Sequence, residues 1–198
     1  MKIAIITDQH FGARKNSKLF HDYFLRFYND VFFPTLEEQG ITTIVDMGDT
    51  FDSRKGIDFS ALSWAKNNYY DKLKDYTIHT IVGNHTAYYK NTNEVNAIDL
   101  LLREYKNVKI YSETTTIKLG DLNILLVPWI NSENEKSTLG LGAHTEIYKS
   151  QKPGETETIA IRPDFNRLVI FPAKNIHKGY SFTDPNAPMR LSIAWKLI

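Results

Sequence analysis

Residues 41–52, ITTIVDMGDTFD, decide the fold of this 198-residue chain. The first half is an apolar, β-branched run that predicts a buried strand, and the carboxylates of Asp49 and Asp52 follow that strand's end. In open parallel sheets, binding sites form outside the carboxyl ends of the strands. The stretch therefore predicts one strand of an α/β sheet with a polar site at its end.

Two other motifs repeat this arrangement. Asp8-Gln9-His10 follows the apolar run 3–6, and Gly83-Asn84-His85 follows the apolar run 78–82. Together with the Gly48 to Asp52 motif, they supply hard oxygen and imidazole ligands that suit a pair of divalent cations. The three strand ends therefore predict a two-metal site.

The chain between these motifs has helical periodicity. Helices are predicted over 18–38, 59–73 and 94–105, with a strand near 108–111. In the first helix the apolar side chains at three- and four-residue steps predict a stripe that packs on the sheet. These side chains are Phe20, Phe24, Phe27 and Val31. Residues 114–119 and 122–127, joined by Gly120-Asp121, predict a β-hairpin, so the first 130 residues are expected to form an α/β sandwich.

Composition narrows the function further. A hydrophobic content of 42% predicts one globular domain, or one domain plus a fragment. No apolar run approaches the ~20 residues of a membrane span, so we expect a cytoplasmic protein with no membrane partner. The chain has no cysteine, which excludes disulfides, thiolate metal sites and cysteine nucleophiles.

Basic residues follow each of the three motifs. The net charge of +1 argues against bulk attraction to nucleic acid, but a local basic rim would offer phosphate contacts. The alternative is that these loops are simply polar. The residues of this basic rim are Arg14, Lys15, Arg54, Lys55 and Lys90.

The three motifs resemble those of the calcineurin-like metallophosphoesterases. The longer match over 7–12, 48–54 and 83–93 is similar to the DNA-repair nuclease branch, which includes SbcD-type exonuclease subunits and phage recombination endonuclease subunits. The resemblance covers about residues 1–138 and implies the N-terminal half of a metallophosphoesterase-like α/β sandwich. It also implies hydrolysis of DNA phosphodiesters in recombination and repair by a water activated by two divalent metals, with Mn²⁺ favoured.

The resemblance also implies roles for individual residues. Asp8 and His10 would bind the first metal, Asp49 would bridge both, and Asn84 would bind the second. His85 would protonate the leaving oxygen or stabilise the five-coordinate phosphorus. Asp52 would be an orienting or capping residue and not a metal ligand. Implied partners are DNA, an ATPase subunit with a coiled-coil arm and a second copy of the chain, in a bacterial or phage-infected cell.

The sequence departs from the family pattern in two ways. Thr86 stands where the family has an acidic residue after the third motif, which puts the orientation of His85 in question. The family's later histidine motifs, G-H and G-H-x-H, are absent, and His144 is the nearest candidate to replace one metal ligand.

The C-terminal tail resembles the final strands of 2-oxoglutarate/Fe(II) oxygenases of the prolyl-hydroxylase type. That resemblance implies an iron ligand at His177 and a 2-oxoglutarate contact at Arg190, although the upstream H-x-D half of an iron site is absent. The alternative is that the tail contains ordinary strands and that its likeness to the oxygenases is fortuitous. The chain is therefore interpreted as an incomplete metallophosphoesterase domain (1–138), a junction (139–152) and a short all-β tail (153–198).

Three functions remain open at this point. The first is a metal-dependent phosphodiesterase or DNA nuclease, predicted from the strand-end motifs. The second is an oxygenase fragment that uses Fe(II) and 2-oxoglutarate. The third is a non-catalytic remnant that binds DNA without cleaving it.

Overall fold

The structure, a computed structural model, describes residues 1–134 in full and, beyond them, only the backbone of four strands. These later strands are β7 (Thr145–Tyr148), β8 (Thr158–Ile161), β9 (Arg167–Ile170) and β10 (His177–Gly179). In the described part of the chain, no helix is long and apolar enough to cross a membrane.

A parallel four-stranded sheet forms the centre of the fold. Its strands lie in chain order, each paired in parallel with the next. They are β1 (Ala4–Ile6), β2 (Thr43–Asp46), β3 (Thr77–Ile81) and β4 (Val108–Tyr111). All four were predicted from apolar runs, and their parallel order brings the three motifs to one edge of the sheet.

Helices connect these strands. A single turn, α1 (Ala13–Asn16), precedes a long helical segment built from α2 (Lys18–Phe27), a π-helical turn (Tyr28–Phe32) and α3 (Phe33–Gln39). After β2 come α4 (Phe59–Asn68) and a 3₁₀ turn (Tyr70–Leu73), and α5 (Ala97–Leu102) precedes β4. Asp58 caps α4 by accepting a hydrogen bond from the backbone N–H of Ser60, and Asn96 caps α5 in the same way through Asp99.

The predicted buried stripe of the long helix was wrong in part. Phe24 packs against the core, but Phe20, Phe27 and Val31 are exposed. The face that is buried in the core continues from Phe24 through Tyr28, Phe32 and Leu36, at four-residue steps. A helix offers both stripes, because residues three and four apart share a face, and a π-helical turn lies within the one that is buried.

The two faces of the parallel sheet pack on different layers. Ile44 and Ile78 contact the helices in a core rich in aromatic side chains, whereas the neighbouring Val45 and Ile81 point to the opposite face. There they pack against Ile124 and its strand neighbours. This alternation along each strand is what a sheet covered on both sides requires.

The second layer begins with the predicted hairpin. β5 (Thr115–Leu119) and β6 (Leu122–Leu126) pair antiparallel, and β9 joins the other edge of β6 in parallel. A separate antiparallel sheet has the order β10-β7-β8. The helices, the parallel sheet and the β5-β6-β9 sheet therefore form an α/β sandwich, as the sequence predicted.

Candidate active site

The first and second motifs are joined by backbone hydrogen bonds that extend the pairing of β1 and β2. The amides of Asp8, His10 and Phe11 donate to the carbonyls of Gly48, Asp49 and Thr50, at 3.1, 3.0 and 2.8 Å. Phe11 and Phe51 form an isolated parallel bridge, and both side chains are buried in the aromatic core. The two loops are therefore held in register by the same ladder that builds the sheet.

The candidate ligands on these loops have unusual backbone conformations. Asp8, His10 and Asp49 have φ values of 53°, 44° and 52°, in the left-handed region that non-glycine residues rarely occupy. Such conformations persist where surrounding contacts over-determine them, and they concentrate at functional sites. Here the backbone ladder between the loops provides those contacts.

The third motif approaches the second so closely that it requires a glycine. A Cβ atom at Gly83 would overlap the carboxylate and the amide nitrogen of Asp49. The Asp49 carboxylate also accepts a hydrogen bond of 2.9 Å from the backbone N–H of His85. Asp49, buried at the centre, therefore contacts both flanking loops, as a bridging ligand would.

A series of hydrogen bonds between buried side chains supports the first two loops. Nε2 of Gln9 donates to Asp46 at 3.1 Å, and the hydroxyl of Tyr28 donates to Oε1 of Gln9 at 2.6 Å. Asp46 also accepts from the amide of Gly48 and the hydroxyl of Thr50. Burial raises the pKa of Asp46 to about 7, since these hydrogen bonds only partly offset the loss of hydration.

Carboxylates surround His10 on both sides. Its Nε2 lies 3.4 Å from an oxygen of Asp8, and its Nδ1 lies 3.2 Å from an oxygen of Asp52. The hydrogen bond to Asp8 raises the pKa of His10, and the charges of Asp49 and Asp52 add to this effect while burial opposes it. A cation would replace the proton that these carboxylates favour, so metal binding here should compete with protonation.

The donor set fits a divalent cation. One ligand atom each from Asp8, His10 and Asp49 lies within 4.8 Å of the others, and His10, Asp52 and His85 form a second such group. Carboxylate oxygen and imidazole nitrogen are the donors that Mn²⁺ and similar ions accept. The first group contains three of the ligands predicted from the sequence, and their metal-binding role stays a prediction.

His85 is oriented by a backbone group. Its Nδ1 lies 2.7 Å from the carbonyl oxygen of Asp52, and its ring packs edge-on against His10 with 4.7 Å between centroids. Since a carbonyl only accepts, the proton of the neutral ring lies on Nδ1. Thr86, which replaces the family's acid, instead makes a buried turn by bonding both the amide and the carbonyl of Gly83.

The basic rim divides into two groups. Arg14, Lys15, Lys55 and Lys90 are exposed. Arg54 instead turns inward: its Nη2 donates to the backbone carbonyl of Asn84 and its guanidinium lies over the ring of Trp129. Phosphate contact by these residues stays a prediction.

Other sequence predictions concern parts that the structure does not describe. His144 and Arg190 lie outside the described residues, as does the side chain of His177, whose backbone opens β10. The oxygenase interpretation of the tail, with its iron and 2-oxoglutarate, and the boundaries at 138 and 152 therefore stay predictions.

Sequence reasoning missed three supporting groups: Gln9, Asp46 and the carbonyl of Asp52. A polar residue between two ligands, and a carboxylate inside an apolar strand, were the available signals for the first two. No side-chain pattern could have identified the third, because it is a backbone atom.

Comparison with known proteins agrees with this geometry. The model of the protein family described as "Calcineurin-like phosphoesterase" matches residues 1–183. Among curated proteins, "Exonuclease subunit 1" of Enterobacteria phage T4 is 35% identical over 136 residues, which make up 68% of this chain. The chain spans only 40% of the length of that relative.

Two solved structures overlap the chain weakly, each at 13% sequence identity. A novel archaeal phosphodiesterase gives a TM-score of 0.39, covering 71% of this chain and 66% of its own. The nuclease MPE of Pseudomonas putida gives a TM-score of 0.42, covering 93% and 80%. Overlap this weak supports no conclusion about activity.

Proposed function

Because the chain belongs to the calcineurin-like phosphoesterase family, we propose that it is a metal-dependent DNA nuclease subunit that hydrolyses phosphodiester bonds. The observation that carries this proposal is the meeting of three strand-end loops at Asp49. The side chain of Asp49 bonds the third loop, and its backbone carbonyl bonds the first. The T4 exonuclease subunit, as a relative of the same region, supports DNA as the substrate class.

The proposed site holds two divalent cations, with Mn²⁺ favoured by its mixed carboxylate, amide and imidazole donors. Asp8 and His10 would hold the first, Asn84 the second, and Asp49 both. Held by these residues, the cations would supply a hydroxide at neutral pH and would neutralise charge on the phosphate. His144 would be an additional ligand.

His85 would serve as the proton donor. Its Nδ1–H donates to the carbonyl of Asp52, so the proton that it transfers would be carried on Nε2. A protonated Nε2 would donate to the leaving oxygen or stabilise the charge on phosphorus, which is the role of a positioned general acid. Asp52 would also orient His10 through its carboxylate, 3.2 Å from Nδ1.

The substrate would lie along the exposed lysines and arginine of the rim. Arg14, Lys15, Lys55 and Lys90 carry positive charge on the three loops that hold the proposed metals. Contacts of this kind fix a nucleic acid by its phosphates without reading its sequence. We propose that this surface guides DNA into the site, in recombination and repair within a bacterial or phage-infected cell.

A second copy of the chain is the proposed partner for α2. One side of the long helical segment exposes apolar side chains to solvent, and their number is unusual for a surface helix. We call this the outer apolar face; it comprises Leu19, Phe20, Tyr23, Phe27 and Val31. Homodimerisation would cover it, and a coiled-coil ATPase subunit is proposed as a further partner.

The proposed activity is tested by hydrolysis of end-labelled DNA and of a small phosphodiester, bis(p-nitrophenyl) phosphate, with Mn²⁺. Wild type is compared with Asp49→Asn and with Asp75→Asn, an exposed carboxylate outside the three loops. We expect Mn²⁺-dependent hydrolysis that chelation removes, that Asp49→Asn abolishes and that Asp75→Asn leaves unchanged.

The opposite result has a clear meaning. If wild type is folded by circular dichroism and binds DNA, but cleaves neither substrate with Mn²⁺, the nuclease proposal is wrong. The chain would then be a DNA-binding remnant of a phosphoesterase.

A further inference from the structure

Arg54 connects the second and third loops of the proposed active site. Its Nη2 donates to the backbone carbonyl of Asn84, and its guanidinium carbon lies 5.0 Å from the centroid of the Trp129 ring. Its Nη1 is buried and has no hydrogen-bond partner among the described residues. The neighbouring Lys55, in contrast, is exposed. The guanidinium of Arg54 therefore contacts groups of the protein itself, and the residue is less exposed than Lys55.

Trp129 is itself held firmly in place. Its backbone N–H donates to the carbonyl of Val82 at 2.8 Å, one residue before the third motif begins. Its own carbonyl accepts from three buried asparagine side chains, those of Asn93, Asn131 and Asn134. The backbone of Trp129 is thus anchored beside the end of β3, and its indole offers a face on which the guanidinium stacks.

We propose that Arg54 is a positioning residue that acts through Asn84. By binding the carbonyl of Asn84 while stacking on Trp129, it fixes the peptide between the proposed metal ligand and His85. It thereby sets where the Asn84 amide and the His85 imidazole lie relative to Asp49. This inference rests on the proposed function and deepens it, since Asn84 is a proposed metal ligand.

The chemistry of arginine is suited to this role. Its planar guanidinium stacks on an aromatic face while donating in its own plane, whereas the compact ammonium of lysine does not offer both at once. Groups that support metal ligands in this way typically contribute about 10–100-fold to metal affinity or activity. A phosphate contact would behave differently, because it changes binding and its salt dependence before it changes the chemical step.

The experiment compares Arg54→Ala, Arg54→Lys, Trp129→Leu and, as a control, Lys72→Ala, which changes an exposed cation of the 3₁₀ turn outside the three loops. Mn²⁺ affinity is measured without substrate by electron paramagnetic resonance. The values of kcat and KM are measured on bis(p-nitrophenyl) phosphate, which is too small to reach the rim. DNA binding is measured across a salt series with Ca²⁺ in place of Mn²⁺.

We expect Arg54→Ala and Trp129→Leu to weaken Mn²⁺ binding and to lower kcat, each by roughly tenfold or more, with KM nearly unchanged. Arg54→Lys should not restore either property. Lys72→Ala should leave Mn²⁺ affinity, kcat and the salt dependence of DNA binding unchanged. If Arg54→Ala does not fold, Arg54→Lys decides the question with the same measurements.

The proposal is overturned if the Arg54 variants bind Mn²⁺ and turn over the small substrate as Lys72→Ala does. A loss confined to DNA binding, with a salt slope lower by about one, would make Arg54 a phosphate contact instead. If wild type binds Mn²⁺ but hydrolyses nothing, the proposed function fails. The comparison of Mn²⁺ affinities still decides the role of Arg54.

Discussion

The backbone carbonyl of Asp52 lies 2.7 Å from Nδ1 of His85 and is the group that orients this imidazole. A backbone acceptor has two consequences. It selects the tautomer with the proton on Nδ1, and substitution of the Asp52 side chain does not remove it. The orientation of His85 therefore depends on the conformation of the second loop and not on an acidic neighbour.

We expect His85→Gln to lower kcat on a small phosphodiester by about 10²–10⁴-fold, the range of a lost general acid. Mn²⁺ affinity should stay close to that of wild type, because His85 is not among the proposed metal ligands. The comparison of kcat with Mn²⁺ affinity tests this. A parallel loss of Mn²⁺ binding would instead identify His85 as a ligand.

Gly83→Ala should damage the site through a direct steric overlap. The added Cβ would collide with the carboxylate and amide of Asp49, so the loops must separate, at a cost of about 1–3 kcal/mol in unfolding free energy. Gly56→Ala is the matched control, since a Cβ there meets nothing within 4 Å. Thermal unfolding and Mn²⁺ titration should show losses in Gly83→Ala alone. Equal behaviour of the two variants would contradict the close approach of the loops.

The buried Asp46 should make the metal-free protein less stable as pH rises. Its pKa is raised from 3.8 to about 7 in the folded protein, so between these values the folded state holds a proton that the unfolded state releases. The stabilisation from that proton is complete below pH 3.8 and is lost as pH rises through about 7. The slope amounts to about 1.4 kcal/mol per pH unit.

Denaturant unfolding in EDTA between pH 4 and 8 measures this contribution, as the difference between wild type and Asp46→Asn. The free energy of unfolding of Asp46→Asn should change less with pH over this interval, because the amide of asparagine does not titrate. An unchanged pH profile would show that Asp46 is ionised throughout.

The outer apolar face of the long helical segment predicts self-association. Phe27→Glu should weaken the dimer about tenfold or more, as replacement of a central apolar contact does. Leu100→Glu is a suitable control, because Leu100 is 65% exposed on α5 and lies outside this face. Sedimentation velocity over a concentration series distinguishes the two. A monomeric wild type would rule out the dimer.

The strands and the meeting of the motifs could be predicted because they follow from local patterns. Apolar runs define the strands, and parallel pairing then brings Asp8, Asp49 and Asn84 to one edge without further information. The buried face of the long helix could not be predicted in this way. Phe24 belongs to two apolar stripes, one through Phe27 and one through Tyr28, and their spacing alone does not decide which of them packs in the core.

The supporting groups of the site were hidden for a different reason. Gln9, Tyr28 and Asp46 are distant in sequence and form one hydrogen-bonded chain only after helix and sheet have packed. In the sequence, Arg54 is one of five basic residues that follow the motifs, and no local pattern distinguishes it from the other four. Its separate position depends on Trp129, which is 75 residues away along the chain and belongs to no motif.

Because Phe11 and Phe51 form a bridge between the first two loops, these loops can separate only if the aromatic core also opens. Both rings are fully enclosed, and the amides of Phe11 and Asp52 bond across the bridge. The first two loops cannot separate unless these rings leave the aromatic cluster, which makes the loops part of the most cooperative unit of the fold. Hydrogen exchange at these amides would then report global unfolding, and the binding geometry would persist in the native state with no ion present.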